Sequence, residues 1–168
     1  MYMRDDTWLF QKLDEIWDGH FPDIPQHNDV IIKFGRKARQ RLGSIKQEPS
    51  ILCHSRGGGN LSQDKNRKTL ITINGIFKDE YVPDYVVTAT IVHEMCHYAH
   101  GFSSPLEQRF ENPHYGGVVT KEMKARGFEK ELKLQKKWLK EVWPKYLEEK
   151  MPARTIRRKR RRVVIKWI

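Results

Sequence analysis

The sequence predicts an α+β domain. Apolar residues at helical spacing alternate with a few short β-branched runs, and no regular βαβ repeat links them. A chain of 168 residues supplies one hydrophobic core, too little for two ordinary ones. The chain is 38% apolar and 32% charged, with 11% aromatic residues, a polar but globular composition.

Asp6-Thr7 can cap a first helix carrying Leu9, Leu13, Ile16 and Trp17 at helical spacing, with Gly19 ending it. Pro22 and Pro25 mark a loop. Val30 to Phe34 reads as a strand, followed by a basic stretch, Lys37 to Leu42, that Gly43 punctuates. Ile51 to Ser55 is a second candidate strand. Gly57-Gly58-Gly59-Asn60 and Gln63-Asp64-Lys65-Asn66 are turn chemistry, and Leu70 to Asn74 is the clearest strand. Pro83 suits the first turn of a helix running from Asp84 to His100 and stopping at Gly101. Ser104-Pro105 opens a short helix or turn through about Phe110, and Asn112-Pro113 breaks it. A helix is expected from Val118 to Arg126, ended by Gly127. A last long helix starts near Phe128 with Leu132, Leu139, Val142 and Tyr146 on one face and Trp138 and Trp143 beside it. Pro144 should kink or split it by removing a ladder donor. Trp8, Trp17, Trp138 and Trp143 fit helix faces that pack into the core.

The charge is unevenly placed. The net charge is +11, from 32 basic and 21 acidic residues. Nine of the basic residues lie between Lys150 and Ile168, where there is no acidic one, so residues 1–149 are close to neutral. The division expected is a folded domain at 1–149 and a basic tail at 150–168. Arg157, Arg158, Lys159, Arg160, Arg161 and Arg162 are six consecutive cations. They read either as a solvated charge run or as a sequence-independent clamp on a nucleic-acid backbone. Val163-Val164-Ile165, Trp167 and Ile168 after them are apolar enough to dock as a strand or bind a partner. No apolar run reaches the roughly 18–20 residues of a membrane span. The N-terminus lacks the apolar stretch of a signal peptide, and two cysteines exclude a disulfide scaffold. These features place the expected protein in the cytoplasm or at the nucleoid, not in a membrane and not secreted.

The chemistry concentrates in His93-Glu94-Met95-Cys96-His97. On a helix, positions i and i+4 share a face, so both imidazoles can reach one metal ion at about 2.0–2.1 Å. Glu94 is rotated about 100° from His93 and lies beside such an ion, where it can take a proton from water and return it to a leaving amine. The bland alternative is a helix whose histidines are ordinary polar residues. A catalytic site needs a third protein ligand. His100 shares the face but sits about 10.5 Å along the helix from His93, too far for one ion. Ser103 stands where a metzincin would carry its third histidine. The third ligand therefore comes from beyond Gly101: His114, between Asn112-Pro113 and Gly116-Gly117, is the best candidate, with Glu107 and Glu111 as acidic rivals. Cys96 reads as a small packed residue. Cys53-His54 has no partner pair for a second metal site. Tyr98 and Tyr115 could donate to an oxyanion, although packing is the default for both.

Taken together, these residues resemble the SprT-like metalloprotease family, which includes Spartan and the yeast Wss proteins. Ile31 to Gly43 is similar to the family's early strand and basic stretch ending in glycine, and Leu70 to Asn74 to the strand before its active-site helix. Val82-Pro83 and Thr90 to Tyr98 resemble that helix, and Glu122 to Phe128 the segment after its third histidine. The likeness covers roughly residues 5–130. It implies a small zincin-like domain with a short, mainly antiparallel sheet packed against the active-site helix and flanking helices. It implies Zn2+ held by His93, His97 and His114, with Glu94 as catalytic acid and base. The expected activity is hydrolysis of peptide bonds in a protein or peptide substrate, including proteins bound or crosslinked to DNA, with the tail contacting nucleic acid. Members of the family often carry a C-terminal zinc ribbon; no cysteine follows Cys96 here. The alternative expectation is a nucleic-acid-binding module with a structural zinc or a silent protease site.

Overall fold

A computed structural model describes residues 4–48 and 67–151. Helix α1 (Asp6–His20) opens the fold. Its N-cap is Asp5, whose side chain accepts from Trp8 N at 2.8 Å. The sequence pointed to Asp6-Thr7 for this cap. Asp6 is used differently: its carboxylate accepts from Phe34 N at 2.9 Å and ties α1 to the end of the first strand. Leu9, Leu13 and Ile16 form the buried stripe of α1.

Three strands make one sheet in the order β1-β3-β2. β1 (Val30–Phe34) runs parallel to β3 (Thr69–Ile73), pairing Val30 with Thr69 and Phe34 with Ile73. β2 (Gly43–Gln47) runs antiparallel to β3, pairing Gly43 with Ile73 and Gln47 with Thr69. The sheet is therefore mixed, not mainly antiparallel as the sequence suggested. β1 alternates, with Val30, Ile32 and Phe34 turned into the core and Ile31 and Lys33 exposed. β3 is central and buried at every position except Thr72. β2 is an edge strand whose outer side has no strand partner among the described residues. The sequence missed β2, because Gly-Ser-Ile-Lys-Gln is weak in β-branched residues and only the pairing with β3 makes it a strand. The strand expected at Ile51 to Ser55 lies outside the described residues.

Helix α2 (Asp84–Ala99) follows a 3-10 turn at Gly75–Lys78, with Pro83 in the N-cap position. It packs against β2 and β3 on one side and against two later helices on the other. Those are α3 (Val118–Ala125) and α4 (Glu129–Glu141), followed by α5 (Trp143–Lys150). Arg4 staples the N-terminus to the start of α2. Its guanidinium donates to Phe77 O at 3.1 Å and Val82 O at 2.8 Å and pairs with Asp84. The expected break at Pro144 is present, and it separates α4 from α5. The segment from Ser104 to Phe110 forms no helix: it bends at Ser104 to Leu106 and then runs irregularly.

The buried face of α4 is Leu132, Gln135 and Trp138, with Leu139 and Val142 only half-buried. Gln135 breaks the apolar pattern for a physical reason. Its amide donates to Val86 O at 3.1 Å and Thr90 Oγ1 at 3.0 Å, knitting α4 to α2. Trp138 and Trp143 are core residues as expected, and Trp8 and Trp17 pack at its margin. No helix among the described residues is long and apolar enough to cross a membrane. The tail from 152 onward, including Arg157 to Arg162 and Val163 to Ile168, lies outside the described residues.

One buried side chain holds the corner where β1, β3 and the 3-10 turn meet. Asn74 Nδ2 donates to Ala38 O at 2.7 Å and Arg41 O at 2.8 Å, while its Oδ1 accepts from Ala38 N at 3.2 Å and Ile76 N at 3.0 Å. Replacing Asn74 by alanine strands several of these backbone groups at a site that is 4% exposed. Asn74→Ala should lower unfolding free energy by about 2–4 kcal/mol, read from the midpoint of urea denaturation.

A second prediction concerns acid. Arg126 makes paired hydrogen bonds to Asp23, at 2.7 and 2.9 Å, and holds its carboxyl below the usual carboxylate range. A depressed carboxyl stabilises the fold above its unfolded pKa and loses that contribution as pH falls through its folded one. Asp23→Asn should therefore lower the melting temperature near neutral pH. The gap to wild type should close as the buffer is taken down through about pH 4 and below.

Candidate metal centre

The site is built on α2. A buried helix fixes backbone positions, and spacing by one turn places His93 and His97 on the same side. Their Nε2 atoms stand 3.2 Å apart, with ring centroids at 4.8 Å and planes at 81°. His114 arrives from a different element. It precedes the 3-10 turn Tyr115–Gly117, and its ring lies 4.7 Å from that of His97 and 5.4 Å from that of His93. One nitrogen from each of the three rings falls within 4.8 Å of the others. His114 can reach this point because the chain then turns sharply. Gly116 and Gly117 take φ of 65° and 69°, the left-handed region that side-chain-bearing residues seldom adopt, and α3 starts at once.

This geometry fits a metal ion. Two ligands at about 2.0–2.1 Å from a tetrahedral ion are about 3.3 Å apart, close to the spacing of the two Nε2 atoms. Imidazoles must also be neutral to lend a lone pair. Burial, with repulsion from His114, lowers the pKa of His93 to about 4. Burial, with repulsion from His93 and His114, lowers that of His97 to about 3. Both rings are therefore unprotonated at pH 7. His97 Nδ1 is buried and has no hydrogen-bond partner among the described residues.

Glu94 lies beside the three histidines and is 5% exposed. Burial raises its pKa to about 7, against the opposing pull of Arg41. Gly43 of β2 makes room for it. A Cβ at that position would stand 2.7 Å from Glu94 Oε1 and 2.9 Å from Thr90 Cγ2, so no other residue fits without displacing the carboxylate. The histidines and Glu94 open onto a cleft of about 540 Å³, walled by β2 from Gly43 to Lys46 on one side and by Phe102, Ser103 and Pro113 on the other. Gly43, Arg41 and the β2 wall are the parts of this site that sequence reasoning missed. The only sign of them was a glycine closing a basic stretch.

The other candidates separate cleanly. Glu107 and Glu111 are exposed and stand outside the histidine cluster. His100 is buried elsewhere, with its Nε2 3.8 Å from Glu122 Oε2 and its ring edge-on to Phe110. Cys96 is fully buried, and desolvation pushes its thiol up to about 12, so it packs as an uncharged residue. The hydroxyl of Tyr98 donates to Asn28 Oδ1 at 2.9 Å, which commits it to the loop before β1. Tyr115 is 82% exposed. Cys53-His54 and the tail cations Arg157 to Arg162 lie outside the described residues.

Helix α3, which carries the chain away from His114, is clamped to the end of α1. Arg126, at its C-terminus, donates to Glu122, Asp23 and His20 O and covers the Phe21 ring at 4.0 Å. His114 thus sits just ahead of an anchored helix, near the end of the long connection from His100 to Gly117 that follows α2. His114→Ala should weaken metal binding by at least about 100-fold and leave the fold intact, because residue 114 is exposed. Elemental analysis after dialysis, beside circular dichroism, checks both. Comparison with family models, with curated proteins and with solved structures finds no match.

Proposed function

We propose that the protein is a zinc-dependent endopeptidase with a zincin-like architecture. One observation carries the reading: three imidazoles, two of them held neutral by burial, converge on one point, with a buried carboxylate beside them, at the floor of an open cleft. A structural metal site needs no neighbouring base and closes its fourth position with protein. The histidine set suits zinc among the divalent ions that imidazole favours. When bound, such an ion supplies a Lewis acid that polarises a carbonyl and acidifies water.

The chain's own residues account for the remaining steps. Glu94 accepts a proton from the attacking water and delivers it to the departing amine. Burial raises its pKa, and a divalent cation bound beside it would favour the ionised form that a base requires. Gly43 keeps the carboxylate packed between α2 and β2. The outer edge of β2, which has no strand partner among the described residues, offers backbone N–H and C=O groups to an extended peptide laid along the cleft, a mode of recognition that is insensitive to side-chain identity. The resemblance to SprT-like proteases in the helix around His93 to His97 supports the same reading. It suggests proteins associated with or crosslinked to DNA as substrates, with the tail supplying proximity.

The test is cleavage of a DNA-bound basic protein by the purified full chain, with and without DNA. Glu94→Gln should cut turnover by about 10²–10⁴-fold while metal content stays at the wild-type level. No cleavage by the wild type, or an equally active Glu94→Gln, overturns the proposal. Tight nucleic-acid binding without proteolysis would instead support a binding module with a structural metal.

A further inference from the structure

The loop between β1 and β2 reads Gly35-Arg36-Lys37-Ala38-Arg39-Gln40-Arg41-Leu42. It holds four cations and no acid. All four are exposed, and none is in an ion pair among the described residues. Asp79, which shares a recess with Lys37, accepts from the Tyr146 hydroxyl at 2.7 Å.

The loop backbone is fixed along most of its length. Arg36 O and Leu42 O accept from Gly75 N and Asn74 N, at 3.3 and 2.8 Å. Ala38 O and Arg41 O accept from the Asn74 amide, and Arg39 O accepts from Trp143 Nε1 at 3.1 Å. With the carbonyls committed inward, the charged side chains are left to solvent on a rigid support. They spread over an arc. Arg41 stands at the mouth of the metal cleft. Arg36 flanks it above the end of β3. Lys37 faces a recess shared with Lys78 and Lys150 and also with Asp79 and Glu80. Arg39 donates to Met151 O, the last described residue before the basic tail.

From this arrangement we infer that residues 36–41 bind the phosphate backbone of a nucleic acid, DNA or RNA, independently of sequence, and hold it beside the cleft. Four like charges within six residues repel one another, and a polyanion relieves that repulsion while releasing its condensed counterions. Three of the four are arginines, whose planar forks match phosphate oxygens. The row of charges leads from the cleft to the start of a second cationic segment, which suits a ligand with evenly repeated charge better than an acidic protein with scattered carboxylates. The surface stands whether or not the cleft hydrolyses peptides, and its test reads no proteolysis.

The experiment is fluorescence anisotropy of the full chain with short labelled single-stranded DNA, duplex DNA and RNA, over a range of salt. R36A/K37A/R39A should weaken binding about tenfold or more at low salt and flatten the slope of log K against log salt by about 3 for duplex and about 2 for single strands. K130A/K136A/K137A removes the same charge from the exposed face of α4 and should change the slope by less than about 1. Both sets are repeated in a chain with Arg157 to Arg162 replaced by glutamine, so that the tail cannot mask the loop. If the alanine set melts early, R36Q/K37Q/R39Q keeps the aliphatic stems and gives the same readout. Wild-type binding that is absent, or unchanged by the loop variants in both backgrounds, or equally reduced by the α4 set, overturns the inference. Displacement of the oligonucleotide by polyglutamate at equal charge concentration also overturns it and assigns the surface to acidic proteins.

Discussion

Helix α2 has almost no solvent face. Val86, Val87, Ala89, Ile91, Val92, Cys96 and Ala99 are fully buried between the sheet and helices α3 and α4. A helix enclosed in this way cannot shed polar groups to water, so those along it are packed or bonded within the fold, and His97 Nδ1 is left without a hydrogen-bond partner among the described residues. Thr90 is bonded to Val86 O and to Gln135. Glu94 is packed on Gly43, and His97 on its two companion rings. The same enclosure sets the chemistry. Desolvation keeps the His93 and His97 rings neutral and raises the pKa of the Glu94 carboxyl, one cause acting in two directions.

The three donors differ in how they are held. His93 and His97 are products of helical geometry and come with the core. His114 depends on two glycines and on the clamp that Arg126 forms between α3 and the end of α1. Two-thirds of the centre is therefore as rigid as the domain, and the remaining third is as rigid as one exposed turn.

What the sequence disclosed follows the range over which each signal acts. Helix α2, its histidine pair and the break at Pro144 are local, governed by spacing along a few turns, and all were readable. His114 was reachable by exclusion, since helical rise disqualified His100 and the loop glycines marked a close approach. The strand β2 was not readable. Its residues have little preference for extended backbone, and only the partnership with β3 imposes it. The parallel pairing of β1 with β3 was equally hidden, since strand order is a non-local property. Gln135 looked out of place on an apolar stripe because its partners, Val86 O and Thr90, are far away in the chain. The role of Gly43 needed the carboxylate across from it to be seen.

Surface loops ordinarily accept added or deleted residues, because nothing downstream registers the change. The segment from Gly35 to Leu42 is an exception. It is fastened at its middle by Asn74 and Trp143 and at its far end by the pairing of Gly43 with Ile73. One residue more or fewer would shift the glycine that Glu94 rests on and put a side chain in its place. The length of this stretch is thus set by the carboxylate it ends against. Natural or engineered versions of the chain should hold the count of this stretch at eight.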